Sequence, residues 1–137
     1  MFKGQPNLLV DGNMEADNTT SWTVSKGIIT KETTAPYRGT RNIKLEIDTG
    51  DTYADASQTI LTAGKRYRFS GKYKTDGTTV AQIKYKSAPT ILSPSSPIVW
   101  TNFDLVVDAE YQYAVLQNGG SPGGYVEFDD IRVVEVN

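Results

Sequence analysis

Along most of this chain apolar and polar residues alternate over short runs, and no run repeats its apolar residues at the three- and four-residue spacing of a helix. Ile43, Leu45 and Ile47 share one face of a run at 42–47. Tyr67, Phe69 and Tyr73 alternate with Arg66, Arg68, Ser70, Lys72 and Lys74 in another. Turn signals separate the runs, among them Asp11-Gly12, Lys26-Gly27, Arg38-Gly39, Ala63-Gly64, Asp76-Gly77 and Asn118-Gly119-Gly120. The pattern predicts strands over residues 22–29, 42–47, 56–61, 66–74, 79–85, 100–107, 111–117 and 125–136. The Thr-Ala-Gly turn predicts a hairpin joining 56–61 to 66–74. Residues 87–97, with three prolines and four serines, predict a long loop, because proline cannot donate to a ladder. Many short strands at this spacing imply an all-β, two-sheet antiparallel β-sandwich of the jelly-roll kind, one domain over residues 1–137 with few or no helices.

The last run breaks its own rhythm. Val126 and Phe128 have one parity, and Ile131 and Val133 the other. Side chains alternate faces with a period of two, so one regular strand cannot bury both pairs on one side. A β-bulge, one extra residue, repairs the register. It falls at Asp129 and Asp130, and buried carboxylates are costly unless paired or coordinated. The nearest base in sequence is Arg132. A calcium ion would satisfy both acids, since it takes six to eight oxygens from carboxylates, carbonyls and water.

Composition removes much common chemistry. The chain has no cysteine and no histidine, which excludes disulfides, thiolate and imidazole metal sites, and the Ser-His-Asp and Cys-His arrangements. A phosphate loop and a nucleophile elbow are also missing, so no enzymatic activity is expected. The net charge of −2 does not call for nucleic acid. No apolar run is long enough for a secretory signal or a membrane span, so no membrane insertion is expected. With Met1 as the start, the protein is expected to be made in the cytoplasm; a trimmed extracellular protein is the alternative.

Several ordered blocks carry a resemblance. Asn7-Leu8-Leu9-Val10-Asp11-Gly12-Asn13-Met14-Glu15 is followed by Ser21-Trp22-Thr23-Val24, then Arg38-Gly39-Thr40-Arg41-Asn42-Ile43-Lys44-Leu45. After these come Ser57-Gln58-Thr59-Ile60, the stretch from Ala63 to Ser70, Trp100-Thr101, and the closing Phe128-Asp129-Asp130 strand. In this order they resemble carbohydrate-binding modules of families four, nine and twenty-two. The resemblance implies a galactose-binding-like β-jelly roll with a structural Ca2+ linking the first turn to the last strand. Glu15 and one of Asp129 or Asp130 would supply carboxylates, with main-chain carbonyls near Asn13 and the 38–41 turn. Met14 stands where these modules have phenylalanine.

In such modules glycans lie across a concave sheet on aromatic rings. With residues 66–74 taken as that sheet, the outward positions are Arg66, Arg68, Lys72 and Lys74, so no aromatic platform is expected there. Tyr111, Tyr113 and Gln117 admit two assignments, a small glycan cleft or, preferred, a core face formed by Tyr111, Tyr113 and Val115. Seven bases and one acid lie between Lys65 and Lys86, Lys84 among them, and seven acids and one base follow from Asp104. That segregation suggests complementary surfaces meeting on neighbouring copies or on an acidic scaffold. Single-stranded nucleic acid is disfavoured, because the interleaved aromatics face away from the bases. The expectation is therefore a non-catalytic module, first a tailed-bacteriophage virion accessory protein (capsid decoration or tail component), with a polysaccharide-binding module as the alternative. For the virion, the basic positions and the 87–97 loop are the expected contacts.

Overall fold

Strand alternation resolves into ten β-strands and, among the described residues, no helix. The computed structural model describes residues 5–92 and 95–136. The strands are β1 (Thr23–Val24), β2 (Ile28–Glu32), β3 (Asn42–Glu46), β4 (Ala54–Thr59), β5 (Arg66–Thr75), β6 (Ala81–Lys84), β7 (Thr90–Ile91), β8 (Thr101–Asp108), β9 (Tyr113–Asn118) and β10 (Tyr125–Val136). They form two five-stranded antiparallel sheets, sheet I in the order β1-β4-β9-β6-β7 and sheet II in the order β2-β3-β10-β5-β8.

Two predicted connections are corrected. The run at 22–29 is not one strand: Gly27, at φ 97°, turns the chain from β1 in sheet I to β2 in sheet II. Residues 54–59 and 66–75 are not a hairpin either, because β4 and β5 lie in opposite sheets. The 87–97 loop carries the short strand β7, and its Ser93 and Pro94 lie outside the described residues.

The two inner faces differ in size. Sheet II presents Tyr67, Phe69, Tyr73, Phe128, Ile43 and Leu45, all buried, while sheet I answers with Ala54, Ala56, Ala81 and Ala114. Large rings against small residues let the sheets interdigitate at interior density. Burial of these faces is the main stabilising term. At one end Gln58 closes the gap, accepting from Val10 N–H at 3.0 Å and donating to Val10 C=O at 2.7 Å.

The bulge lies where the parity of the last strand flips. β10 pairs with β5 through Asp129↔Lys72 and resumes at Arg132↔Ser70, so Asp130 and Ile131 together face Gly71. Asp130 takes the left-handed conformation at φ 53°. Gly71 is required there, since a Cβ would meet the Ile131 Cδ1 at 2.5 Å and the Asp130 carbonyl at 2.9 Å. After the bulge Ile131 and Val133 point inward.

The pairing of β10 with β3 extends through Phe128↔Ile43, and beyond it the amino-terminal segment takes over. Ile131 N–H donates to Gly12 C=O at 2.8 Å and Leu8 N–H to Val133 C=O at 2.9 Å. The Asn7 side chain completes this ladder, donating to Ile131 C=O at 2.8 Å and accepting from Val133 N–H at 2.9 Å. The first turn then folds round Lys31, whose buried ammonium meets Asp11 Oδ2 at 2.6 Å and the carbonyls of Met14 and Ala16 at 3.0 and 2.7 Å.

Replacing Asn7 by alanine strips partners from one carbonyl and one N–H beside the bulge. Asn7→Ala is expected to cost about 2 kcal/mol. Urea denaturation should show a lower midpoint with an unchanged slope.

Candidate functional site

Two arrangements outside the core carry chemistry. The first lies over the bulge. Asp129 is fully buried, while Asp130 turns outward and pairs with Arg38 at 3.3 Å. Asp129 Oδ2 accepts from Arg38 N–H at 2.9 Å and Oδ1 from Asp130 N–H at 2.8 Å. Burial pushes the Asp129 carboxyl up to about 6, against the pull of the Arg38, Asp130 and Tyr37 N–H groups, and the Asp130 charge adds to the rise. Glu15 grips the same 38–41 turn from the other side. Its Oε1 accepts from the Thr40 N–H and hydroxyl, both at 2.9 Å, and its Oε2 from Arg41 N–H at 3.2 Å. The Thr40 N–H chiefly holds the Glu15 carboxyl below its ordinary value, opposed by burial and aided by the Thr40 hydroxyl and Arg41. Gly39 leaves room for this carboxylate, which a Cβ would meet at 2.5 Å.

The sequence pattern missed one member of this group. The β3/β10 register, continued one step past Phe128↔Ile43, sets Asn42 across from Asp129. Asn42 is fully buried; its Nδ2 donates to Glu127 Oε1 at 2.9 Å, and its Oδ1 has no partner. A buried carboxylate and a buried orphan oxygen on neighbouring strands both call for a cation or a proton donor. Asn13, in contrast, is exposed and spends its side-chain oxygen on Glu15 N–H at 3.3 Å. Among the described residues no three Asp or Glu side chains cluster for a metal, so a cation here would depend on amide and main-chain oxygens as well.

The second arrangement is on the outer face of sheet I. The registers align outward-facing rows: Asp55, Gln117 and Gln82 in one, Ser57, Val115 and Lys84 in the next, and Thr59 with Tyr113 in the third. Tyr111, Tyr113, Val115 and Lys84, with Ser25, Asp55 and Ser57, line an open cleft of about 310 Å³. Tyr113 is 48% exposed. The preference for Tyr111, Tyr113 and Val115 as a core face is therefore corrected: Ala114 and Leu116 face inward, and the tyrosines line the cleft. Asp55 Oδ1 accepts from Ser25 and Lys26 N–H at 3.1 and 3.4 Å. Burial raises the Asp55 carboxyl, while those N–H groups and the Lys84 charge oppose the rise. Gln117 is 7% exposed, and its amide has no hydrogen-bond partner among the described residues.

The remaining expected contacts lie elsewhere. Arg66, Arg68, Lys72 and Lys74 occupy the outer face of sheet II, and the cleft lies on sheet I, not on the sheet that holds 66–74. Part of the segregated charge meets inside the chain, because β8 pairs directly with β5. Arg66 pairs with Asp108 at 3.0 Å and Arg68 with Asp104 at 2.6 Å, while Lys74 stands 3.9 Å from Glu127. Lys72 lies over the Tyr37 ring at 4.6 Å and Lys74 over Trp100 at 4.8 Å.

No family model and no curated protein matches the chain. Solved structures do. The module TmCBM61, determined in complex with β-1,4-galactotriose, is 13% identical at a TM-score of 0.69, over 96% of this chain and all of that one. The CBM22-1 xylan-binding domain of Paenibacillus barcinonensis Xyn10C is likewise 13% identical at 0.69, over 100% and 99%. The enzymatically active domain of bacteriophage CBA120 tailspike protein 4 is 19% identical at 0.65; the match covers 95% of this chain and 21% of the tailspike chain. The chain has the galactose-binding-like β-jelly-roll fold of the carbohydrate-binding modules.

Proposed function

We propose that the protein is a non-catalytic module that binds a glycan across the outer face of sheet I. The observation that carries this reading is the open cleft itself, in which an exposed tyrosine, Tyr113, stands with Tyr111 and the polar side chains of Lys84 and Asp55. Sugar rings stack on aromatic faces, and buried polar groups fix their hydroxyls. The complexed or named ligands of two similar structures, a galactotriose and xylan, belong to the same chemical class. Titration calorimetry against galactan and xylan oligosaccharides and a wider glycan panel tests it. Tyr113→Ala should lower affinity about tenfold or more. Arg66→Ala, on the opposite sheet, should leave affinity unchanged. A glycan bound equally by wild type and Tyr113→Ala would move the site away from this cleft.

A structural calcium ion fits the oxygen donors over the bulge. Asp129 and Asn42 Oδ1 would hold it, with Glu15 and main-chain oxygens of the first and 38–41 turns completing the set. It would supply the positive charge that the buried acid and amide oxygen lack. In metal-stripped protein, calcium at a hundredfold excess over Kd should add about 2.7 kcal/mol of stability. The rise in Tm should vanish in Asp129→Asn. No response of the stripped wild type to calcium would leave the bulge as a metal-free one.

A second reading, an accessory module of a tailed-phage particle, is favoured by one observation, the likeness to a phage tailspike domain. On this reading the protein should co-sediment with purified particles in a fixed number of copies. Absence from every capsid and tail fraction would end it.

A further inference from the structure

The cations of this chain divide sharply by what surrounds them. Lys26, Arg38, Lys65, Arg66 and Arg68 each have an acid within ion-pair distance, as do Lys31, Lys44 and Lys74. Lys72 and Lys86 lie over tyrosine rings, and Arg41 and Arg132 donate to main-chain carbonyls. Lys84 is the exception among the described residues: it has no acid at ion-pair distance, no ring and no hydrogen-bond acceptor. It is also the lysine that lines the sheet I cleft.

Its position within the cleft gives that freedom a direction. The row of Lys84, Val115 and Ser57 lies between the row of Asp55 and the row of Tyr113. Successive outward rows are about 7 Å apart along the strands. Asp55 and Lys84 feel each other's charge across the cleft without standing at ion-pair distance, and Asp55 Oδ1 is turned to the N–H groups of Ser25 and Lys26. The cleft therefore offers a stacking ring, an ammonium without a contact ion and a carboxylate acceptor in fixed sequence. A ligand with one carboxylate and several hydroxyls on a ring answers each of them. Asp55 would repel that carboxylate in the reverse orientation, so the pair also sets polarity.

We propose that the cleft selects an acidic saccharide, a chain containing uronate residues, with the uronate carboxylate held by Lys84 and its ring stacked on Tyr113. This rests on the reading of the sheet I face as the glycan site. A charge-assisted hydrogen bond to an ammonium is among the stronger polar contacts, and here the ammonium need not first break a contact ion pair. A neutral sugar at the same place would leave the ammonium facing hydroxyls only.

The test is calorimetry with oligosaccharides of polygalacturonate, alginate and hyaluronan, each compared with its carboxyl-reduced, neutral derivative. Wild type, Lys84→Gln, Lys84→Arg and Tyr113→Ala are measured with every probe. At least one acidic probe should bind, and carboxyl reduction should weaken it about tenfold or more. Lys84→Gln should reproduce that loss and show no further loss on reduction, while Lys84→Arg recovers most of the affinity. Tyr113→Ala should weaken both forms. Equal binding of acidic and reduced probes, or an unaffected Lys84→Gln, overturns the acidic selection while sensitivity to Tyr113→Ala keeps the glycan site. A neutral glycan bound in a Tyr113-dependent way, with no acidic probe bound, has the same meaning. Failure of every acidic and neutral saccharide to bind overturns both readings.

Discussion

Because β10 carries one residue more than β5 between Asp129 and Arg132, a single strand serves two neighbours in succession. Before the bulge it is bonded to β3; after it, Asn7, Leu8 and Gly12 supply the partners. The extra residue also decides the fate of the two acids, putting Asp130 in water beside Arg38 and Asp129 beneath the 38–41 turn. Glu15 holds that turn from the first loop, so the amino terminus, the β2–β3 connection and the last strand converge on one place. Such convergence lets a buried carboxylate persist, since its hydrogen bonds come from main-chain groups fixed elsewhere.

What could be read in the sequence follows from where side-chain contrast is strong. In β5 and β10 the inward residues are rings and branched chains and the outward ones are charged, so the alternation and the parity flip were visible. Sheet I hides its orientation. Four of its inner positions are alanines facing the rings of sheet II, and in β9 the outward Tyr113 and Val115 are at least as apolar as the inward Ala114. Hydrophobicity then points the wrong way, and the cleft tyrosines read as core. Assignment of strands to sheets was equally hidden. A three-residue turn such as Thr62-Ala63-Gly64 is compatible with a hairpin or with a crossing between sheets, and only packing decides.

The charge pattern is informative for the same reason. Bases in β5 and acids in β8 lie far apart in the chain, yet those strands are hydrogen-bonded neighbours, and their charges cancel across the ladder. Exposed pairs of this kind add little stability. They do remove the outer face of sheet II as a strongly basic surface. Asn42 was invisible for a different reason: as the first residue of a strand it looked like a boundary, and that its oxygen is buried without a partner shows only in the folded chain.

The cleft, by contrast, owes its acid to the joint between the sheets. Residues 25–27 carry the chain from β1 to β2, and Asp55 holds that link through its carboxylate and through its own N–H, which donates to Lys26 C=O at 3.1 Å. A Cβ on Gly27 would meet Ala54 Cβ at 2.3 Å, so the link sits tightly against β4. One wall of the cleft is therefore fixed by the crossing of the sandwich, and its floor by ladder registers, not by a long loop. A site made of strands and a crossover has little freedom to adapt, and affinity then depends on how well a ligand matches groups already in place. In such a setting the Lys84 ammonium, coupled to Asp55 by charge but not by contact, stays open to a ligand group that enters the cleft.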